Sequence, residues 1–176
     1  PISLEVLGDT TSQMLRQAII INSWGKNVYV KIPVVNSRGI FSGRVIRTLS
    51  QKGIKLNITA VYTVNQVRKI LKNINKESKT IISIFSGRMS DAGKDPVPII
   101  RKSVLLTKKL KNIKILWAST REAYNYLQAK GCGCQIITMP PVIINKISKF
   151  GKSYQELTLD TVNKFLEDSK KSKFKI

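Results

Sequence analysis

No histidine occurs among the 176 residues. Its absence excludes Ser-His-Asp and Cys-His nucleophile pairs, imidazole metal sites and histidine acid–base chemistry. Cysteine is nearly as scarce. Cys132 and Cys134 form a Cys-Gly-Cys sequence. That is too few ligands for a structural zinc site and the wrong spacing for a Cys-x-x-Cys redox pair, so a reduced, cytoplasmic setting is expected. No apolar run reaches about 18 residues, which gives no span for a membrane helix, and no signal peptide opens the chain. The chain begins at Pro1, directly on the strand-like run Ile2-Ser3-Leu4-Glu5-Val6. The expectation is a piece of something longer. Carboxylates are also few: Asp+Glu is 10 against 31 Lys+Arg, so a carboxylate inside a strand stands out.

The formal charge is +21. A balance this basic suits nucleic acid or an acidic membrane surface. Yet the lysines are spread over nearly every segment, and the one local run is the tail Ser169-Lys170-Lys171-Ser172-Lys173-Phe174-Lys175. No binding motif accompanies the charge. A solvated lysine surface is the simpler reading, nucleic acid is disfavoured as a partner, and attraction of phosphorylated small molecules is a further alternative. The sequence leaves homo-oligomerisation open.

Hydrophobic residues make up 42% and charged residues 23%, enough to build a core. Strand-like runs at 2–6, 28–32, 54–60, 80–85, 114–118 and 135–138 alternate with amphipathic segments. Those segments are 12–22, 40–51, the stretch carrying Val64, Val67, Ile70, Leu71 and Ile74, the stretch carrying Ile100, Val104 and Leu105 after Pro96 and Pro98, then 120–130, 141–149 and 158–169. Six consecutive strand–helix units predict an α/β fold with a parallel sheet covered by helices. Most strands alternate rather than run apolar throughout. Val28, Val30 and Ile32 oppose Tyr29 and Lys31; Ile54, Leu56 and Ile58 oppose Lys55, Asn57 and Thr59. A polar face cannot lie under helices without partners, but it can line a barrel interior. The expected fold is therefore a TIM (β/α)8 barrel lacking its first two β/α units. Residues 1–170 form one catalytic domain in this reading, and 171–176 a basic tail. An open doubly wound sheet is the alternative, weakened by the lack of a Gly-rich phosphate loop after the first strand.

Lys31 sits at the end of the apolar strand Val28-Tyr29-Val30-Lys31-Ile32-Pro33. Burial disfavours an ammonium, by about 3–5 pKa units in extreme cases, and a neutral amine condenses with ketones to a Schiff base. The plainer alternative is a lysine at the rim or one paired with Glu5. Glu5 is the sole carboxylate within a strand, suited to relay protons or simply to pair with a lysine. Asn57 and Thr59 offer hydrogen bonds to a water or a substrate hydroxyl. Arg88, Ser119 and Arg121 follow strand ends, where arginines either hold phosphate or make surface ion pairs. Asp91 and Asp95 suit caps better than metal ligands. Trp24 and Trp117 read as core or rim packing residues.

Six stretches, in order and over residues 1–170, resemble the transaldolase family, in the group with the short fructose-6-phosphate-aldolase-like members. They are Ile2-Ser3-Leu4-Glu5-Val6, Val28 through Pro33, Gly53-Ile54-Lys55-Leu56-Asn57-Ile58-Thr59-Ala60-Val61-Tyr62, Ile82-Ser83-Ile84-Phe85-Ser86-Gly87-Arg88 with Asp91-Ala92-Gly93, Ile115-Leu116-Trp117-Ala118-Ser119-Thr120-Arg121, and Gly133 through Pro140. The resemblance implies that Lys31 is the Schiff-base lysine and that Glu5 and Thr59 hold a proton-relaying water. It implies that Asn57 and Ser83 meet substrate hydroxyls beside Phe85, and that Arg88, Ser119 and Arg121 bind the phosphate. The implied reaction moves a dihydroxyacetone unit between phosphorylated ketoses and aldoses in pentose phosphate metabolism, with no metal or organic cofactor. A fructose-6-phosphate-type aldolase, an inactive barrel and a polyanion-binding protein remain alternatives. The family's first-strand aspartate and Thr-Thr-Asn-Pro-like motif do not occur in the sequence, while Ile84 and Val35 stand where proline and threonine are common. The 176 residues alone are therefore expected to be poorly active.

Overall fold

The computed structural model describes residues 1–172; residues 173–176 of the basic tail lie outside the described residues. The chain divides into two compact units, Pro1–Pro140 and the residues from Pro141 onward.

The first unit is built on strands β1 (Ile2–Glu5), β2 (Val28–Pro33), β3 (Leu56–Val61), β4 (Thr80–Ile84), β5 (Ile113–Trp117) and β6 (Ile136–Ile137). All pair in parallel in the order β1-β2-β3-β4-β5-β6. A doubly wound sheet reverses its strand order at a switch point. A strictly sequential order has no such point, so the doubly wound alternative is excluded. Helices α1 (Thr11–Ser23), α2 (Gly43–Gln51), α3 (Val64–Asn73), α4 (Ser86–Asp91), α5 (Val97–Thr107) and α6 (Tyr124–Gly131) fill the crossovers.

Alternation along the strands decides which face meets the helices. Val28, Val30, Ile32, Leu56, Ile58, Ile82, Ile84, Ile115 and Trp117 join Met14, Ala18, Ile46, Leu49, Ile70 and Ile100 in one core. On the opposite face lies a smaller cluster of Ile81, Leu116 and Ala118 with Tyr29, Phe85 and Ile136. The sheet is strongly curled. Ser3 of β1 and Ile136 of β6, at its two edges, line the same open cavity of about 530 Å³. In a flat sheet five strand spacings would hold those edges about 24 Å apart. Six sequential, parallel strands with helices in their five crossovers, curled around a concave face, make the expected partial (β/α)8 barrel.

Local signals fix the helix starts. Thr10 and Gln13 cap α1 reciprocally, as Thr63 and Gln66 cap α3. Several boundaries differ from the sequence reading. The helix expected from residue 40 begins only at Gly43, because Val35 and Phe41 form an antiparallel bridge. The helix expected from residue 120 begins at Tyr124, because Thr120 is drawn to the Thr138 carbonyl, with Oγ1 donating across 2.6 Å. Helix α4 lies between the strand expected at 80–85 and the helix expected after Pro96, in a stretch given no element in the sequence reading. Trp117 is fully buried as a core residue, but Trp24 is 62% exposed and lies outside the core. Among the described residues no helix is long and apolar enough to cross a membrane.

The second unit contains α7 (Pro141–Ile147) and α8 (Tyr154–Ser172). Helix α8 starts four residues before the expected 158. Ser153 and Glu156 explain this: the Ser153 N–H donates to Glu156 Oε2 at 2.7 Å, and the Glu156 N–H to Ser153 Oγ at 3.2 Å.

Candidate active site

Because β2 sends Val28, Val30 and Ile32 into the helix-facing core, Tyr29 and Lys31 project from the concave face. Parallel register sets Glu5, Lys31 and Asn57 at one level across β1, β2 and β3. Lys31 Nζ lies 3.5 Å from Glu5 Oε2, with the two side chains 29% and 42% exposed. The sequence led to a lysine enclosed by apolar groups or one paired with Glu5, and the structure pairs it. A half-exposed ammonium beside a carboxylate avoids the cost of an unpartnered buried charge.

A hydrogen-bonded chain continues along the same face. Asn57 Nδ2 donates to Ser3 Oγ at 3.0 Å, and Ser83 Oγ donates to Asn57 Oδ1 at 2.6 Å. Asn57 on β3 thus reaches past β2 to β1, which requires the concave curl. Thr59 lies one side-chain step further along β3. Its hydroxyl is buried and has no hydrogen-bond partner among the described residues. A buried hydroxyl left unpaired costs about 1–3 kcal/mol. It lines the cavity with Lys31, Asn57, Ser83, Phe85 and Ser119. The backbone beside it is irregular: the β3–β4 register shifts between Ile58 and Val61, and Ala60 takes φ 57°. A bulge re-aims neighbouring side chains, and a left-handed alanine is a strained conformation.

Ser119, at the end of β5, is the second non-glycine residue in the left-handed region, with φ 62°. It is locked from one side by Gly87. A Cβ at position 87 would stand 1.5 Å from the Ser119 carbonyl oxygen, so only glycine permits this contact. The Gly87 N–H donates to the Ala118 carbonyl at 3.2 Å. One residue on, the Arg88 guanidinium stacks over the Phe85 ring, 5.1 Å from its centroid. Arg121 turns to Asp91, with Nη2 2.7 Å from Oδ2. The hydrogen-bonded Asp91 carboxylate raises the guanidinium pKa further.

The residues singled out in the sequence thus fall into two groups. Lys31, Asn57, Thr59, Ser83, Phe85 and Ser119 line one cavity, with Glu5 against Lys31. Arg88 and Arg121 are exposed and do not line it; Arg88 lies over Phe85, which does. Asp95 is a cap, accepting from the Val97 N–H at 2.9 Å. Asp91 is not: its carboxylate is taken by Arg121. Ser3 went unnoticed as a site residue, although it precedes Glu5 by two residues and shares its face. Among the described residues no three metal-ligating side chains converge.

The family model for transaldolase/fructose-6-phosphate aldolase matches residues 1–176. A probable transaldolase of Thermoanaerobacter sp. (strain X514) is 31% identical over 177 residues, which cover 100% of this chain and 76% of that protein. One of Thermoplasma volcanium is 33% identical over 172 residues, covering 97% and 71%. "Probable transaldolase 2" of Listeria monocytogenes serovar 1/2a is 35% identical over 149 residues, covering 84% and 64%. A solved chain titled "Native KDPGal structure" aligns over 86% of this chain and 84% of its own at 13% identity, but its TM-score of 0.30 bears no argument. Matched along its whole length, and to relatives of which it spans about two-thirds to three-quarters, the chain belongs to the transaldolase/fructose-6-phosphate aldolase family.

Proposed function

We propose that this chain carries the lysine site of a transaldolase-type enzyme, which moves a dihydroxyacetone unit from a phosphorylated ketose to an aldose phosphate. The observation that carries this reading is the Lys31–Glu5 pair, 3.5 Å apart on the concave face of a curled parallel sheet. An amine and a carboxylate at that separation are within reach of proton exchange through one intervening water.

In this reading Lys31 Nζ, its proton passed to Glu5, attacks the ketone carbon. The carbinolamine loses its oxygen as water, with the proton returned from Glu5 through a water shared with Thr59. The resulting iminium draws the electron pair of the C3–C4 bond as it breaks. The aldose phosphate leaves and a three-carbon enamine stays on Lys31. The enamine carbon adds to the aldehyde of an acceptor, and hydrolysis frees the new ketose and the lysine. Asn57 and Ser83, fixed by each other, meet substrate hydroxyls. Ser119, Arg88 and Arg121 take the phosphate. A base for the C4 hydroxyl proton is also required. Among the described residues no carboxylate lines the cavity itself, so these 176 residues alone are expected to be poorly active. We place the reaction in cytoplasmic pentose phosphate metabolism, where sugar phosphates exchange carbon units.

The test is borohydride reduction in the presence of fructose 6-phosphate, followed by mass spectrometry. The expected result is a three-carbon or six-carbon adduct on Lys31 that Lys31→Ala abolishes. An undiminished adduct in Lys31→Ala sinks the assignment. Product analysis with and without an aldose phosphate separates transfer from release of free dihydroxyacetone, the outcome an aldolase would give.

A further inference from the structure

The two cations after the strand ends are held differently. Arg88 lies over an aromatic ring and makes no ion pair among the described residues. Arg121 is gripped side-on. Its Nε stands 2.8 Å from Asp91 Oδ2 and 3.2 Å from Oδ1, and its Nη2 2.7 Å from Oδ2. A guanidinium has five N–H donors in a fixed plane. This grip engages the Nε–Nη2 edge, and among the described residues it leaves both Nη1 donors and the second Nη2 donor without a partner. The Arg121 stem runs beside Gly87, since a Cβ there would lie 3.1 Å from its Cγ. Ser119, two residues earlier, lines the cavity.

The pair is poorly placed to stabilise the fold. Its side chains are 49% and 51% exposed, and solvated ion pairs contribute little. Helix α4 is already joined to the end of β5 by the Gly87–Ala118 hydrogen bond. What the carboxylate adds is orientation. A free arginine loses much of its rotamer freedom on capturing an anion, whereas a guanidinium already held in one plane loses less. We infer that Asp91 is a positioning residue for phosphate recognition, holding Arg121 by one edge so that the remaining donors are available to the phosphate of a sugar phosphate. The inference rests on the reading above, in which Arg121 takes that phosphate.

A competing role has the opposite sign. If Asp91 merely occupied the cation, removing its charge would tighten phosphate binding. The experiment compares Asp91→Asn, Asp91→Glu, Arg88→Ala and Arg121→Ala by titration calorimetry at fixed ionic strength. The probes are fructose 6-phosphate and, as the unphosphorylated control, fructose. Thermal melting of each variant checks its fold. Asp91→Asn should weaken fructose 6-phosphate binding about tenfold, the lower end of what removing a hydrogen-bonded orienting partner costs a metal ligand. Fructose binding should not change, Asp91→Glu should restore part of the loss, and Arg121→Ala should weaken fructose 6-phosphate at least as much. Unchanged or tighter binding in Asp91→Asn, with Arg121→Ala impaired, overturns the positioning role alone. Unchanged binding in both arginine variants overturns the phosphate site itself, and the inference with it.

Discussion

Ser83 donates its hydroxyl proton to Asn57 Oδ1 across 2.6 Å, from a site only 2% exposed. The same carboxamide donates to Ser3, so one side chain ties β1, β3 and β4 together on the concave face. Asn57→Ala strands the Ser83 hydroxyl without an acceptor. We expect a loss of about 1–3 kcal/mol, read as a fall in Tm of several degrees. Ser3→Ala takes the acceptor from Asn57 Nδ2, but both groups line the open cavity, where water can replace it, so it should cost less than about 1 kcal/mol. Equal losses in the two variants would refute this ordering.

Gly87 is the point where α4 meets the end of β5. An added methyl would sit 1.5 Å from the Ser119 oxygen and 2.6 Å from its carbonyl carbon. Both are backbone atoms, so the chain itself must move. Gly87→Ala should destabilise by about 1–3 kcal/mol, the usual range for overpacking, and should move Ser119 away from the cavity. Chemical denaturation measures the first effect and a crystal structure of the variant the second. A neutral substitution would contradict the close approach.

Asp9 binds both the backbone N–H and the hydroxyl of Ser37, each at 2.7 Å, joining the loop after β1 to the loop after β2. Those two donors hold its carboxyl below the ordinary 3.8. The unfolded chain therefore takes up this proton at higher pH than the folded one. The resulting stability is complete above about 3.8 and is lost as pH falls from there through the folded value. Asp9→Asn should be less stable than the parent near neutrality, and the gap should narrow on acidification below pH 4. A gap that widens on acidification would reverse the sign and refute the linkage.

Burial pushes the Cys134 thiol up to about 12 and raises Cys132 as well. Only the thiolate reacts with alkylating agents, so at pH 8 the reactive fraction of Cys134 is roughly a thousandfold below that of an ordinary thiol. Iodoacetamide should label the native protein slowly and the urea-unfolded chain quickly. Equal rates would show that neither thiol is protected.

The alternation of apolar and polar residues made the barrel legible, because a polar strand face is tolerable only when it lines an open interior. It also placed Lys31, Asn57, Thr59 and Ser83 together, since all share the face opposite Val30, Leu56, Ile58 and Ile82. What escaped was set by contacts rather than periodicity. Helix α4, Ser86-Gly87-Arg88-Met89-Ser90-Asp91, has too few apolar residues to show a period. Its glycine reads as a breaker until the Ser119 carbonyl is seen against it. The left-handed Ala60 carries no sequence signal, since alanine there is chosen against its own preference. Asp91 sits 30 residues from Arg121 and nothing local joins them. The early start of α8 could have been found, because Ser153-x-x-Glu156 is an ordinary capping pattern.

The sequential order of the strands bears on how the chain comes together. Ile2 meets Val28, Val30 meets Leu56, Leu56 meets Thr80, Thr80 meets Ile113 and Leu116 meets Ile136. Each strand's partner is the next one to be synthesised, so no segment waits for a distant sequence before it can pair. Each closure still spans a whole helix crossover, and parallel pairing of this kind is intrinsically slower than hairpin or helix formation. On the ribosome the first pairings can be made while later ones are still being translated.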